Sequence, residues 1–222
     1  MIKKLNAPVL LISSAMLLSA PAMAYEAGDI LMRVGTASVN PEKKSDDIDQ
    51  VAGQAVKAND NTQLGISATY MITDQIGVEV LGATPFTHDI TAKAGTLGAP
   101  GADIGEIKHL PPTISAQYYF LDKTSAVQPY VGGGINITVF FDEKAGKDAK
   151  ALGYDELSLD NSVGLAVQAG VDYSINEDMF VNASAMYAKI GTTATLKGTA
   201  GELNVDYDLD PMVYRVNFGY KF

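Results

Sequence analysis

The sequence predicts an all-β protein: an eight-stranded antiparallel transmembrane β-barrel of the outer-membrane type, with long extracellular loops and short periplasmic turns. Three observations carry this. From Met212 to Phe222, Met, Tyr, Val, Phe, Tyr and Phe alternate without a miss against Val, Arg, Asn, Gly and Lys, and the chain ends on an aromatic residue, the pattern of a strand with one face in lipid and one in the lumen. The N-terminus reads as an export signal. No later stretch approaches the roughly 18 unbroken apolar residues of a spanning helix, so a membrane can be crossed here only by strands, and strands in lipid must close into a barrel.

In the export signal, Lys3 and Lys4 form the charged start, Val9 to Leu18 the apolar stretch, and Ala22-Met23-Ala24 the cleavage site. Residues 1–24 are therefore expected to be a cleaved signal peptide and residues 25–222 the barrel. The apolar stretch is too short to anchor the chain in a bilayer.

Period-two alternation yields the strands in order. Ile30, Met32, Val34 and Thr36 oppose Leu31, Arg33, Gly35 and Ala37 in the first; Leu64 to Ile72 form the second. Thr73-Asp74-Gln75 turns the chain into the third, where Ile76, Val78 and Val80 oppose Gly77, Glu79 and Leu81. The fourth starts after Pro111-Pro112, with Ile114, Ala116, Tyr118 and Phe120 outward and Ser115, Gln117 and Tyr119 inward. The fifth, Pro129 to Phe141, carries Gly132-Gly133-Gly134, which suits a sharply curved wall. The sixth, Val163 to Ile175, alternates most cleanly; Asn176-Glu177-Asp178 leads into a seventh from Val181 to Ala188, and the C-terminal strand is the eighth. Long polar connections at about Asn40–Asn61, Thr87–His109, Asp142–Glu156 and Gly191–Asp206 are assigned to the outside, the short turns to the periplasm.

A soluble lipocalin-like barrel also alternates, but it turns its apolar face inward around a ligand. Here the apolar faces carry few charges and finish in tyrosine and phenylalanine, as lipid-facing walls with interfacial girdles do. Cysteine is absent, which excludes a lipid-modified cysteine anchor, disulfides and thiolate chemistry. Without Lys3 and Lys4 the chain has 14 basic against 26 acidic residues, a formal charge of −12, which argues against nucleic acid as a partner.

An eight-stranded barrel is just wide enough to be filled by its own side chains. Strand parity points Leu81 and Met186 inward, both apolar, which makes them candidates for a hydrophobic gate or ligand contact as well as for plain interior packing. Arg33, Glu79, Gln117, Asp172, Arg215 and Lys221 also face inward. Charges in so narrow a space must pair, so Arg33, Glu79, Asp172 and Arg215 are expected to plug the periplasmic half. Pro111 and Pro112 each remove a ladder donor, which marks either a lateral opening in the wall or a kinked strand start above the bilayer. His88 and His109 lack a G-x-S-x-G or a metal-spaced cluster, so no catalytic residue, metal or cofactor is assigned and the two read as solvated loop histidines.

The chain resembles the OmpW family of small outer-membrane proteins. The resemblance rests on Tyr25-Glu26-Ala27-Gly28-Asp29 with Met32-Arg33, on Asn61-Thr62-Gln63-Leu64-Gly65, and on Ile76-Gly77-Val78-Glu79 leading to Ala83-Thr84-Pro85-Phe86. It continues through His109-Leu110-Pro111-Pro112-Thr113, Pro129-Tyr130-Val131-Gly132, Phe140-Phe141-Asp142 and Gly170-Val171-Asp172-Tyr173. It implies a barrel in the outer membrane of a Gram-negative bacterium, in contact with its lipid, with a narrow hydrophobic channel associated with passive passage of small hydrophobic molecules. Some members serve bacteriocins as receptors, so a bacteriocin or phage is an implied partner. Met186 departs from the family, standing where relatives have a bulky aromatic, and tryptophan is absent. The reading that follows is a non-enzymatic, porin-like channel for small apolar solutes, with lateral exit into the membrane as one route. A surface receptor or adhesin with a closed lumen, and then a barrel enzyme, are the alternatives.

Overall fold

A computed structural model describes residues 25–41, 55–94, 99–122 and 125–222; the expected signal peptide lies outside the described residues. Eight strands form the wall: β1 (Ile30–Asn40), β3 (Asn61–Met71), β4 (Ile76–Ala83), β7 (Thr113–Tyr119), β8 (Val127–Ala145), β10 (Ser162–Ser174), β11 (Met179–Ala188) and β14 (Met212–Lys221). Each pairs antiparallel with the next in this order, and β14 returns to β1 with Leu31 opposite Lys221 and Asn40 opposite Met212. The sheet is closed, which leaves no edge to satisfy in lipid.

The outer surface is apolar. Val163 and Leu165 are 73% and 71% exposed, and Val34, Ile66, Val80, Ile114, Ile135 and Val216 stand out from the wall alongside them. Tyr118 with Phe120, and Tyr220 with Phe222, form edge-to-face or tilted pairs at the lower end, where an aromatic girdle belongs. Their strand partners on the opposite parity are buried, so the alternation read from the sequence is the alternation between lipid and lumen.

The connections expected to be polar loops hold much more structure than that. β2 (Ala55–Ala58), β5 (Phe86–Ala94) and β6 (Asp103–Leu110) pair with one another and with the upper end of β8, which runs 19 residues and continues past Phe141. β9 (Glu156–Leu159), β12 (Gly191–Gly198) and β13 (Gly201–Asp208) make a separate three-stranded sheet, and α1 (Lys147–Ala151) packs beside β6. The reason is apolar content: Ile90, Ile104, Ile107, Leu157, Leu196, Val205 and Tyr207 are spaced to meet each other above the wall, and they do so.

Candidate functional site

The lumen is divided into two layers of opposite chemistry. In the lower layer Arg33 is seated between two carboxylates, with Nη2 2.7 Å from Asp172 Oδ2 and Nη1 3.9 Å from Glu79 Oε1. Its Nη1 also donates to Thr69 Oγ1 and its Nη2 to the Tyr119 hydroxyl, both at 2.8 Å. Arg215 Nη1 reaches the same Glu79 Oε1 at 3.3 Å, while its Nη2 donates to Gln168 Oε1 and its Nε to Ser184 Oγ. Gln168 Nε2 then donates back to Glu79 Oε2 at 2.8 Å, and Asn182 Nδ2 to Asp172 Oδ1 at 2.6 Å.

The four charged residues sum to zero, and none is more than 2% exposed. The parity of β1, β4, β10 and β14 brings them together from four strands. Gln117 joins them by accepting from Thr69 and Tyr119. Lys221, expected on the same inward face, is only half-buried at the strand end.

Below the charges lies an aromatic floor that the sequence reading did not identify. Tyr25, Leu31, Met71, Tyr119, Tyr130 and Phe180 form one buried cluster. The Tyr25 hydroxyl donates to Asp172 Oδ2 at 2.7 Å, and its ring meets Tyr119 and Phe180 edge-on. Arg33 stands over Phe180 and Tyr130, with its guanidinium carbon 5.3 and 5.7 Å from the ring centres, within cation–π range. Two glycines make room for these rings: an added Cβ at Gly219 would lie 2.2 Å from the Phe180 ring and one at Gly170 2.5 Å from Tyr130. Each glycine is the cross-strand partner of the ring it admits, a signal that was present in the sequence.

The upper layer is apolar. Leu81 and Met186, both buried, line a narrow cavity with Ala37, Val39, Phe86, Ile190 and Val213, and Pro111, His109 and Asn136 are also in its wall. A second, wholly apolar cavity above it is lined by Ile90, Ile107, Leu157, Leu196, Val205 and Tyr207. One contiguous set of buried side chains links the two, so an apolar column runs from the outer sheets down to the charged layer.

The wall beside this cavity is broken. The β4–β7 ladder ends at Leu81 opposite Thr113, and the β5–β6 ladder begins at Phe86 opposite His109. Between them, Gly82 to Pro85 face Leu110, Pro111 and Pro112 without ladder pairing. The carbonyls of the two prolines are satisfied from the other side, Pro111 by Asn136 Nδ2 and Pro112 by the Ile137 N–H. Water is not needed to complete them, and the interruption is confined to the β4 side.

His88 and His109 are not the solvated loop residues expected. Both are fully buried. Their Nε2 atoms lie 2.9 Å apart, the rings stack at 5.0 Å, and Phe86 and Phe140 flank His109. β5 and β6 lie between β4 and β7 in the chain, and where they pair both rings are shut off from solvent. Burial holds the imidazole of His109 down at about 3, with the neighbouring His88 adding to the effect, and burial also lowers His88.

The OmpW family model matches residues 26–222. Outer membrane protein W of Vibrio cholerae is 47% identical over 208 residues, which cover 94% of this chain and 95% of that one. The crystal structure of OprG from Pseudomonas aeruginosa superposes with a TM-score of 0.84 at 40% identity, covering 90% of this chain and 98% of that one. A more distant relative from Pseudomonas aeruginosa, named dibenzothiophene metabolism operon protein PahQ, is 30% identical over 173 residues, 78% of this chain and 77% of that one. With its closed wall and lipid-facing belt, this chain is an outer-membrane barrel protein, and it belongs to the OmpW family.

Proposed function

We propose that the protein is a passive channel for small hydrophobic molecules, which enter among the outer sheets, descend the apolar column and leave sideways into the membrane beside Pro111 and Pro112. The observation that carries this reading is the break in the wall between the Leu81–Thr113 and Phe86–His109 pairs. It opens off a cavity lined by apolar side chains and stands above a lumen closed by charge. Leu81 and Met186 narrow the cavity at the level of the break and act as the hydrophobic gate. Arg33, Glu79, Asp172 and Arg215 act as the plug that denies a straight route to the periplasm. The name of the PahQ relative refers to an apolar polycyclic compound, the class of molecule such a column would admit.

Replacing both Pro111 and Pro112 with alanine restores two ladder donors. It should lower the uptake of a small hydrophobic solute into liposomes while heat-modifiable barrel assembly is retained. Wild-type uptake in that double variant would reject the lateral route in favour of a channel along the whole barrel. The proposal also includes export with cleavage after Ala24, checked by the mass of the mature chain. It includes a non-catalytic role as well: His88 bonds to His109 and to the Asn59 carbonyl rather than to a serine or carboxylate.

A second reading is favoured by the three-stranded sheet of β9, β12 and β13, which offers a structured outer surface of the kind a bacteriocin, phage or host surface would recognise. Exchange of these loops that abolishes such binding and leaves uptake intact would support a receptor role beside the channel.

A further inference from the structure

The histidine pair carries more than packing, because its hydrogen bonds fix which nitrogen bears each proton. His88 Nδ1 lies 2.6 Å from the carbonyl oxygen of Asn59, and a carbonyl can only accept, so that nitrogen carries the hydrogen. A neutral imidazole has one N–H, and full burial of both rings disfavours their charged forms. His88 Nε2 is therefore an acceptor. Its partner at 2.9 Å, His109 Nε2, must donate. By elimination His109 Nδ1 bears a free lone pair, and it is buried with no hydrogen-bond partner among the described residues. The chain Asn59 carbonyl, His88, His109 thus presents one fixed acceptor at its end.

That acceptor belongs to a residue lining the apolar cavity beside the wall break. Asn136, the other polar side chain in the lining, is committed: its amide donates to Pro111, Pro112 and Thr113 and its carbonyl accepts from Thr138. A buried acceptor left without a donor is costly, and a donor brought in by cargo removes the cost.

We propose that His109 Nδ1 is a specificity-determining group of the channel, which accepts a hydrogen bond from apolar cargo carrying one donor, such as a phenol, an aryl alcohol or an N–H heteroaromatic. This rests on the reading of the cavity as a passage for small apolar molecules and adds the substrate class. Pure hydrocarbons of the same size pass without that contact and are disfavoured relative to their hydroxylated counterparts. His88 is a positioning residue, since it acts only by holding His109 in the tautomer with Nδ1 free.

The probes are p-cresol and p-xylene, which differ by a hydroxyl in place of a methyl. In the full-length mature barrel in lipid nanodiscs, 15N-histidine spectra should show His109 as the Nε2–H tautomer, and p-cresol should shift its Nδ1 resonance while p-xylene does not. In proteoliposomes, His109→Phe should lower the ratio of p-cresol to p-xylene flux by about three- to tenfold, the loss of one neutral hydrogen bond, and His109→Gln, which retains a carbonyl acceptor, should restore part of it. An Nδ1 resonance that p-cresol leaves unmoved, or an unchanged flux ratio in His109→Phe, overturns the assignment with the channel reading intact. A shifted Nδ1 with no flux of either solute through the wild type overturns the channel reading and leaves the binding site standing.

Discussion

The two halves of the lumen are built from the same eight strands and solve opposite problems. The lower half gathers two arginines and two carboxylates from β1, β4, β10 and β14 into a neutral, ion-paired layer, sealed underneath by six apolar and aromatic side chains. The upper half has almost no polar contact to offer and keeps unfilled space. A barrel of this size fills itself when its inward residues are long and complementary, as below, and stays partly open when they are Ala37, Val39, Leu81 and Val213, as above. The strand count sets the width; the residues at inward positions decide whether that width is used.

The contrast is tested hardest in the lower layer. Removing one partner leaves a buried charge uncompensated, so Arg33→Met or Asp172→Ala should cost about 3–5 kcal/mol, read as a lower urea midpoint for detergent-folded protein. Values within a few tenths of wild type for Arg33, Glu79, Asp172 and Arg215 alike would show that the layer is hydrated and is no plug. Next in size is the floor. Gly219→Ala drives a methyl into the Phe180 ring and should cost about 1–3 kcal/mol by overpacking, whereas the larger change Leu81→Phe in the upper half should leave stability nearly unchanged and reduce solute uptake instead. Equal destabilisation by both would erase the distinction between a filled and an unfilled half.

The histidine pair gives the upper half its own pH dependence. The folded His109 resists protonation down to about pH 3, whereas the unfolded chain takes the proton near 6.5. Its contribution is therefore fully present above about pH 6.5 and falls as the pH drops, by about 1.4 kcal/mol per unit. The hydrogen bond to the Asn59 carbonyl, with the charges of Asp60 and Asp89, partly opposes the shift of His88, so His109 carries the larger share of the dependence. Urea titrations followed on β5 and β6 amide resonances should show these strands loosening between pH 7 and 5.5 while β11 and β14 hold. A uniform response would mean the outer sheets and the wall form one cooperative unit. The smallest effect belongs to the surface. Lys108, Lys144 and Asp142 pair where solvent screens them, so Asp142→Asn should leave the urea midpoint unmoved, in contrast to Asp172→Asn.

Much of this was decided by residue order alone. Alternation is strictly local: once Val34 faces lipid, Arg33 and Gly35 face the lumen. The eight wall strands, their orientation, the lipid-facing belt and the inward parity of Arg33, Glu79, Leu81, Asp172, Met186 and Arg215 were all legible in it, and the paired prolines marked where one ladder stops. Which inward groups meet is a matter of register around a closed sheet. That put Arg33 on Asp172, 139 positions away, and Tyr25 beneath them both. The outer sheets were hidden because their alternation is short and interrupted by polar residues, so they read as loops until β8 extends upward to pair with β6. His88 and His109 lie 21 positions apart, with nothing in their spacing to mark them as partners. Only the fold of β5 against β6, which stacks the two rings and shuts out water, makes one proton position on each of them determinate.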